Sequence, residues 1–182
     1  MSYNAVIDFK VVTDLSAEPV TLVEVKQHLN MQFDTEGSYE FTDDDTKLTS
    51  LMKSCRKRLE KYTGVSFGPK TVRAILNNGK GNIELPYGPT VAITAIIDED
   101  GDTIEADDYT LQGIEFKTLK SPCSCYVDVT YTAGFTTLPE DLKMALLEEI
   151  AFRYENRGTT ENKLCDSALL LAEPHSRNVW LL

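Results

Sequence analysis

The spacing of hydrophobic residues changes twice along this chain. From Thr21 to Tyr62 apolar side chains recur every three or four residues. From Thr71 to Phe135 they alternate roughly every second residue, and after Pro139 the wider spacing returns. A helix lines up residues three and four apart, whereas a strand lines up every second one. The chain is therefore expected to be an α+β protein: a bundle of about four helices, with an antiparallel β lobe inserted between the second and third helices.

Local signals set the boundaries. Thr21 lies three residues before Glu24, the spacing of a capping box, and Leu22, Val25 and Leu29 follow at helical intervals, which predicts a first helix over 21–31. A loop, MQFDTEGSYEFT, comes next. Asp43, Asp44 and Asp45 then open a second helix over 43–63, where acids meet the positive end of the helix dipole. Leu48, Leu51, Met52, Cys55, Leu59 and Tyr62 mark its apolar face, and Gly64 stands where a left-handed C-cap belongs.

The lobe, 71–135, offers six strand candidates: 71–76, 81–85, 91–98, 103–111, 114–119 and 125–132. Asn78-Gly79 and Asp100-Gly101 read as hairpin turns whose two central residues both take positive φ. The stretch YTAGFTTLPEDL, Tyr131–Leu142, then runs from strand to helix through a glycine and a proline. A proline costs nothing at the first helical position, so the third helix begins at Pro139 and spans 139–157, before Gly158. Its apolar residues cover more than one stripe, so it is either the central helix of the bundle or packed against another copy. A fourth helix is predicted over 164–172, with Pro174 closing it. Residues 1–20 read as an arm with a short strand over 5–12, residues 21–173 as one body, and residues 174–182 as a C-terminal tail.

Charge narrows the function. Twenty-nine acidic against 18 basic residues give a net charge of −11. Nucleic-acid binding rests on cations that neutralise phosphates, so DNA passing this surface would be repelled rather than held. No segment approaches the length of an apolar membrane span, and the N-terminus MSYNAVIDFK lacks a signal peptide's basic and apolar regions, so a soluble chain made in the cytoplasm is expected. The four cysteines, 55, 123, 125 and 165, are too few and scattered for a disulfide framework and are expected to be reduced.

Motifs that might carry chemistry fail on spacing. DEDGD at 98–102 has neither the glycine nor the glutamate an EF-hand loop needs at its later positions, and reads as a hairpin turn. GVSFGPKT at 64–71 has three residues between its glycines where a phosphate loop has four, and a proline interrupts it. Cys123 and Cys125 are one residue apart, too close for the usual zinc pair. His28 reads as a polar position on the first helix. Glu148 and Glu149 could be offered as the carboxylates of a small acidic hydrolase, but neighbours on a helix point about 100° apart and do not face each other across a substrate. No catalytic residue, cofactor site or metal site is expected.

Two surfaces are candidates for contacts. Lys53, Lys57 and Lys61 step by four along the second helix with Arg56 beside them, and Leu146, Phe152 and Tyr154 lie on the doubly apolar third helix. Together these are the candidate subunit interface. The tail, with Pro174, His175 and Arg177 followed by Trp180, Leu181 and Leu182, is the candidate partner-binding segment, because aromatic and arginine side chains are typical anchors.

The ordered series TLVEVKQHLN, LEKYTG, IELPYGPTVAI, Asp108-Tyr109, VDVTYTAGF and LPEDLKMALLEEIAFRYENRG resembles the head–tail connector, or adaptor, proteins of tailed bacteriophages, from about Thr21 to Arg177. The resemblance implies a structural, non-enzymatic subunit, and a ring of about a dozen copies below the portal that extends the DNA channel and supports tail attachment. It implies a place in the virion neck. The expected partners are further copies of the chain, the portal protein and stopper or tail proteins, with DNA passing unbound and no membrane involved. It also implies that the segment from LLLAEPHSR onward reaches towards the portal. Similar proteins often carry Pro-Tyr-Arg where this chain has Pro174-His175-Ser176-Arg177. The neighbouring alternative is a stopper or tail-completion protein lower in the neck. On either reading the joint at Tyr131–Leu142 is expected to set subunit geometry.

Overall fold

A computed structural model describes residues 6–31, 42–77, 83–114, 116–120, 126–157 and 163–177. The chain divides into two units. One is made of residues 1–16 and 64–136, the other of residues 17–63 and 137–182. The first is the β lobe, and the described residues of the second form helices without strands, so the α+β architecture with an antiparallel insertion between the second and third helices is present.

The lobe begins with β1 (Val6–Thr13), in residues expected to form an arm. β1 pairs antiparallel with β2 (Lys70–Asn77), which makes it part of the lobe's sheet. The remaining strands are β3 (Ile83–Glu84), β4 (Thr90–Asp98), β5 (Thr110–Gln112), β6 (Thr118–Lys120) and β7 (Tyr126–Ala133). They form a four-stranded sheet, β1-β2-β7-β4, and a three-stranded sheet, β3-β6-β5. β7 shows the period-two logic most clearly: Val127, Val129, Tyr131 and Ala133 are buried, while the residues between them are not. They pack with Val72, Ala74 and Leu76 of β2, Ile96 of β4, Ile83 and Leu119 of the smaller sheet, and Leu85 just after β3. Tyr131 keeps its phenol satisfied by accepting the Tyr87 N–H at 3.1 Å.

Three expectations in the lobe need correction. The predicted strand 103–111 shrinks to an isolated bridge at Thr103, opposite Ile97, and to β5, because 105–108 closes a turn in which the Asp108 N–H bonds the Glu105 carbonyl. The predicted strand 114–119 is likewise reduced to β6. At Asp100-Gly101 only Gly101 takes positive φ; the Asp98 carboxylate accepts from the Asp100 and Asp102 N–H groups and organises the turn. Asn78-Gly79, Cys123 and Cys125 lie outside the described residues.

The glycine in YTAGF has a specific cause. Gly134 sits at φ +128°, and a Cβ placed there would lie 1.9 Å from the Gly68 carbonyl oxygen. The end of β7 and the GVSFGPKT segment therefore meet backbone to backbone. That segment holds no phosphate geometry: Ser66 donates to the Gly68 carbonyl, and buried Lys70 places its ammonium 3.7 Å above the Tyr87 ring.

The helical unit contains α1 (Leu22–His28), α2 (Asp45–Thr63), α3 (Glu140–Glu155) and α4 (Asp166–Ala172), with a 3-10 turn at Glu173–His175. Both bonds of the Thr21–Glu24 capping box are present. α1 stops short of residue 31 because Asn30 takes a left-handed φ of 52°. α2 ends on Gly64 at φ 72°, as a C-cap requires. α3 packs against α1, α2 and α4, which answers why its apolar residues cover more than one stripe: it is the central helix of the unit. Among the described residues no helix is long and apolar enough to cross a membrane.

Candidate functional site

The residues proposed to carry assembly fall into three groups. Lys53, Lys57 and Lys61 are exposed on one face of α2. Arg56 is not part of that face. It is fully buried, donating to both carboxylate oxygens of Glu18 at 2.7 and 3.1 Å and to Glu60 at 3.1 Å. The four-residue step places Arg56 one position from the exposed row, on the turn that faces Glu18. It cannot touch a second molecule.

Leu146 is also withdrawn from the candidate interface, because it is fully buried inside its own helical unit. Phe152 and Tyr154 remain half-buried. The Tyr154 hydroxyl donates to Asp44 at 2.7 Å, and Arg157 bonds the same carboxylate at 3.0 Å. The YENRG passage thus ties the end of α3 to the start of α2. This hydrogen bond pushes the Tyr154 pKa up, and the same bond, with Lys47 and Arg157 nearby, holds Asp44 below the usual carboxylate range.

In the tail, Pro174 is exposed and His175 and Arg177 are half-buried, with His175 Nε2 3.7 Å from Asp141. Ser176 is buried, so the chain is still seated on the helical unit at that point. Trp180, Leu181 and Leu182 lie outside the described residues.

The adjacent carboxylates of α3, Glu148 and Glu149, do different structural work. Glu148 stands 3.5 Å from His28 of α1. Glu149 is fully buried, accepting from Arg153 at 2.9 Å and from the Cys165 N–H at 2.8 Å, with Arg58 at 3.7 Å. It joins α2, α3 and the start of α4. Cys55 lies in the same interior, its thiol pushed up to about 12 by burial and by the Glu149 charge. A thiol held neutral in this way is a small core residue rather than a nucleophile. Among the described residues no group of three metal-ligating side chains converges.

Sequence reasoning missed Lys26 and Asp44. Lys26 is buried and paired with Asp45 of α2, a partnership that the helix dipole alone does not predict. For Asp44 the available signal was one aromatic and one basic residue, Tyr154 and Arg157, about one turn apart.

The family model described as head completion protein matches residues 22–163. A search of curated proteins finds no match. Among solved structures, a chain from the neck of an empty GTA particle computed with C6 symmetry superposes with a TM-score of 0.74 at 19% identity, covering 93% of this chain and 95% of that one. A chain from the neck of a native GTA particle computed with C12 symmetry gives 0.71 at 21% identity over the same shares. A chain from the virion of a native gene transfer agent particle gives 0.74 at 20%, again with 93% and 95% covered. These likenesses establish a shared fold that takes in both units.

Proposed function

We propose a function that proceeds from the family: this chain belongs to the head completion proteins. It acts as a structural subunit of the neck in a tailed, phage-like particle, and assembles with further copies of itself into a ring through which DNA passes. The family match across residues 22–163 is the observation that carries this reading. The likeness to neck chains in particles computed with six-fold and twelve-fold symmetry supports the ring.

The physical features are consistent in kind. A net charge of −11 leaves little to hold phosphates, which suits a conduit rather than a DNA-binding protein. The exposed lysines of α2 (Lys53, Lys57 and Lys61) stand out on an acidic molecule and are suited to meet an acidic neighbour in the ring. The tail from Pro174 through Trp180, Leu181 and Leu182 is the segment proposed to reach the portal, and the chain has no enzymatic role. The buried commitments of Glu149 and Cys55 support the last point, since neither is placed to meet a substrate.

The test is electron microscopy of lysates from cells in which this gene carries an early stop codon. Heads and finished tails lying apart are expected. Intact tailed particles would overturn the neck assignment.

A further inference from the structure

The four-stranded sheet of the lobe ends on β1 at one side and β4 at the other, and among the described residues neither has a second neighbouring strand. Isolated open edges are ordinarily shortened, charged or covered. Here both carry exposed apolar side chains, on β1 beside the exposed Asp8 and Lys10. Ile7 and Val12 on β1 are 53% and 54% exposed, and Phe9, reaching the inner face, is covered on one side by the edge of the Tyr87 ring at 5.6 Å. On the other side Val91 of β4 is 51% exposed.

We infer that these two edges are partners: β1 of one copy adds to β4 of the next, so that the sheet runs on from subunit to subunit. The inference rests on the ring reading and names the surface that closes it. Three observations carry it to a second copy rather than to another protein.

The first is direction. β1, β2, β7 and β4 are each antiparallel to the next, so the two terminal strands run in opposite senses. Copies related by rotation about an axis along the strands would bring β4 antiparallel to the following β1, and the alternation of the sheet would continue without a break.

The second is that the edges differ. A two-fold dimer uses one patch twice, whereas a ring needs two different patches facing opposite ways on each subunit. β1 and β4 are separated by three strand spacings, about 14 Å, and are unlike in sequence.

The third is the extent left open. The outer side of β4 is already occupied at its far end, where the Ile104 N–H bonds the Ile96 carbonyl and the Asp98 N–H bonds the Asp102 carbonyl. The stretch left is 90–95, whose pairing with β7 shifts register twice. On β1 the register shifts flank a regular run of four residues, Asp8 to Val11, which fits within that stretch.

The experiment places the photocrosslinking residue p-benzoylphenylalanine at position 12 of the full chain and irradiates assembled necks. Rings are counted by electron microscopy in the same sample, and crosslinked peptides are read by mass spectrometry. A ladder of multimers whose crosslinks fall in 90–95 of the adjacent copy is expected. The paired variant I7K/V12K should keep the wild-type melting temperature within a few degrees and lose rings by at least tenfold. Rings that crosslink elsewhere, or not at all, or that persist in I7K/V12K, would overturn the edge contact while leaving the ring. An absence of rings in unsubstituted protein would remove the ring reading itself, and this inference with it.

Discussion

Among the described residues the lobe buries one charged side chain, Lys70, whereas the helical unit buries several. In the lobe, apolar inner faces of two sheets hold the structure and the Arg73–Asp128 pair lies on the outer surface. In the helical unit Glu149, Arg56, Glu60 and Lys26 are buried and paired. Element length explains the contrast. A sheet shares its backbone bonds between strands, so even short strands can be fixed by an apolar layer. α1 and α4 are seven residues each, well below the roughly 12 residues at which an isolated helix becomes even marginal. They bury too little apolar surface to hold themselves. α1 is anchored by Lys26 to Asp45, Glu24 to Lys143 and His28 to Glu148, and α4 by the Glu149 carboxylate on the Cys165 N–H.

The largest expected effect breaks the lobe without touching a charge. Gly134→Ala must relieve a 1.9 Å approach to the Gly68 carbonyl and a backbone at φ +128°. Neither backbone can yield locally, so a loss of about 4 kcal/mol or more is expected. Urea unfolding would measure it. A loss under about 1 kcal/mol would mean that the β7 end is far looser than its geometry.

Next in size is Glu149→Gln, which keeps the shape and removes the charge that Arg58 and Arg153 share. Breaking a buried pair on one side costs about 3 kcal/mol. Hydrogen exchange sharpens the comparison here. Protection should fall across α2, α3 and α4 and stay unchanged in β2 and β7. Equal loss in the lobe would show that the two units unfold as one.

The same contrast decides what the sequence could reveal. Periodicity marks an apolar layer directly, so α2, α3, β2, β4 and β7 were legible within a few residues. The cap at Thr21 and the glycine at 64 were legible because one backbone requirement fixes one residue type. Charged residues carry no such mark. A lysine on a solvated face and a buried arginine share one spacing pattern, so Arg56 looked like a companion of Lys53 and Lys57. Leu146 was misassigned for a related reason: two apolar stripes describe a central helix and an interface helix equally well. The short strands of the lobe were overestimated because acids such as Glu105 and Asp108 can turn the chain wherever alternation is weak.

A smaller effect is confined to the helical unit and appears at alkaline pH. Tyr154 has its pKa raised by the bond to Asp44, so that bond contributes fully below the ordinary tyrosine value of 10.0 and is lost as the pH rises through the higher folded value. Tyr154→Phe should lower the melting temperature by a few degrees at neutral pH, and the gap from wild type should close in alkali. A gap that stays constant with pH would mean that ring packing, rather than the hydroxyl, ties α3 to α2.

The smallest effect belongs to Glu24, and its pH dependence runs the other way. The Lys143 ammonium, with the backbone and hydroxyl of Thr21, holds the Glu24 carboxyl down from 4.5 to about 2. A group whose folded pKa is depressed contributes its full stability above the unfolded value and loses it as pH falls through the folded one. The pair is partly solvated, at 29% and 33% exposure, so water and salt screen most of its strength. Glu24→Gln should therefore sit slightly below wild type above pH 4.5, and the difference should vanish between pH 4.5 and about 2. Raising the salt concentration should shrink the gap in the same way. If the two proteins differ equally across that window, the capping box holds α1 by geometry alone, and the link to α3 contributes nothing that charge explains.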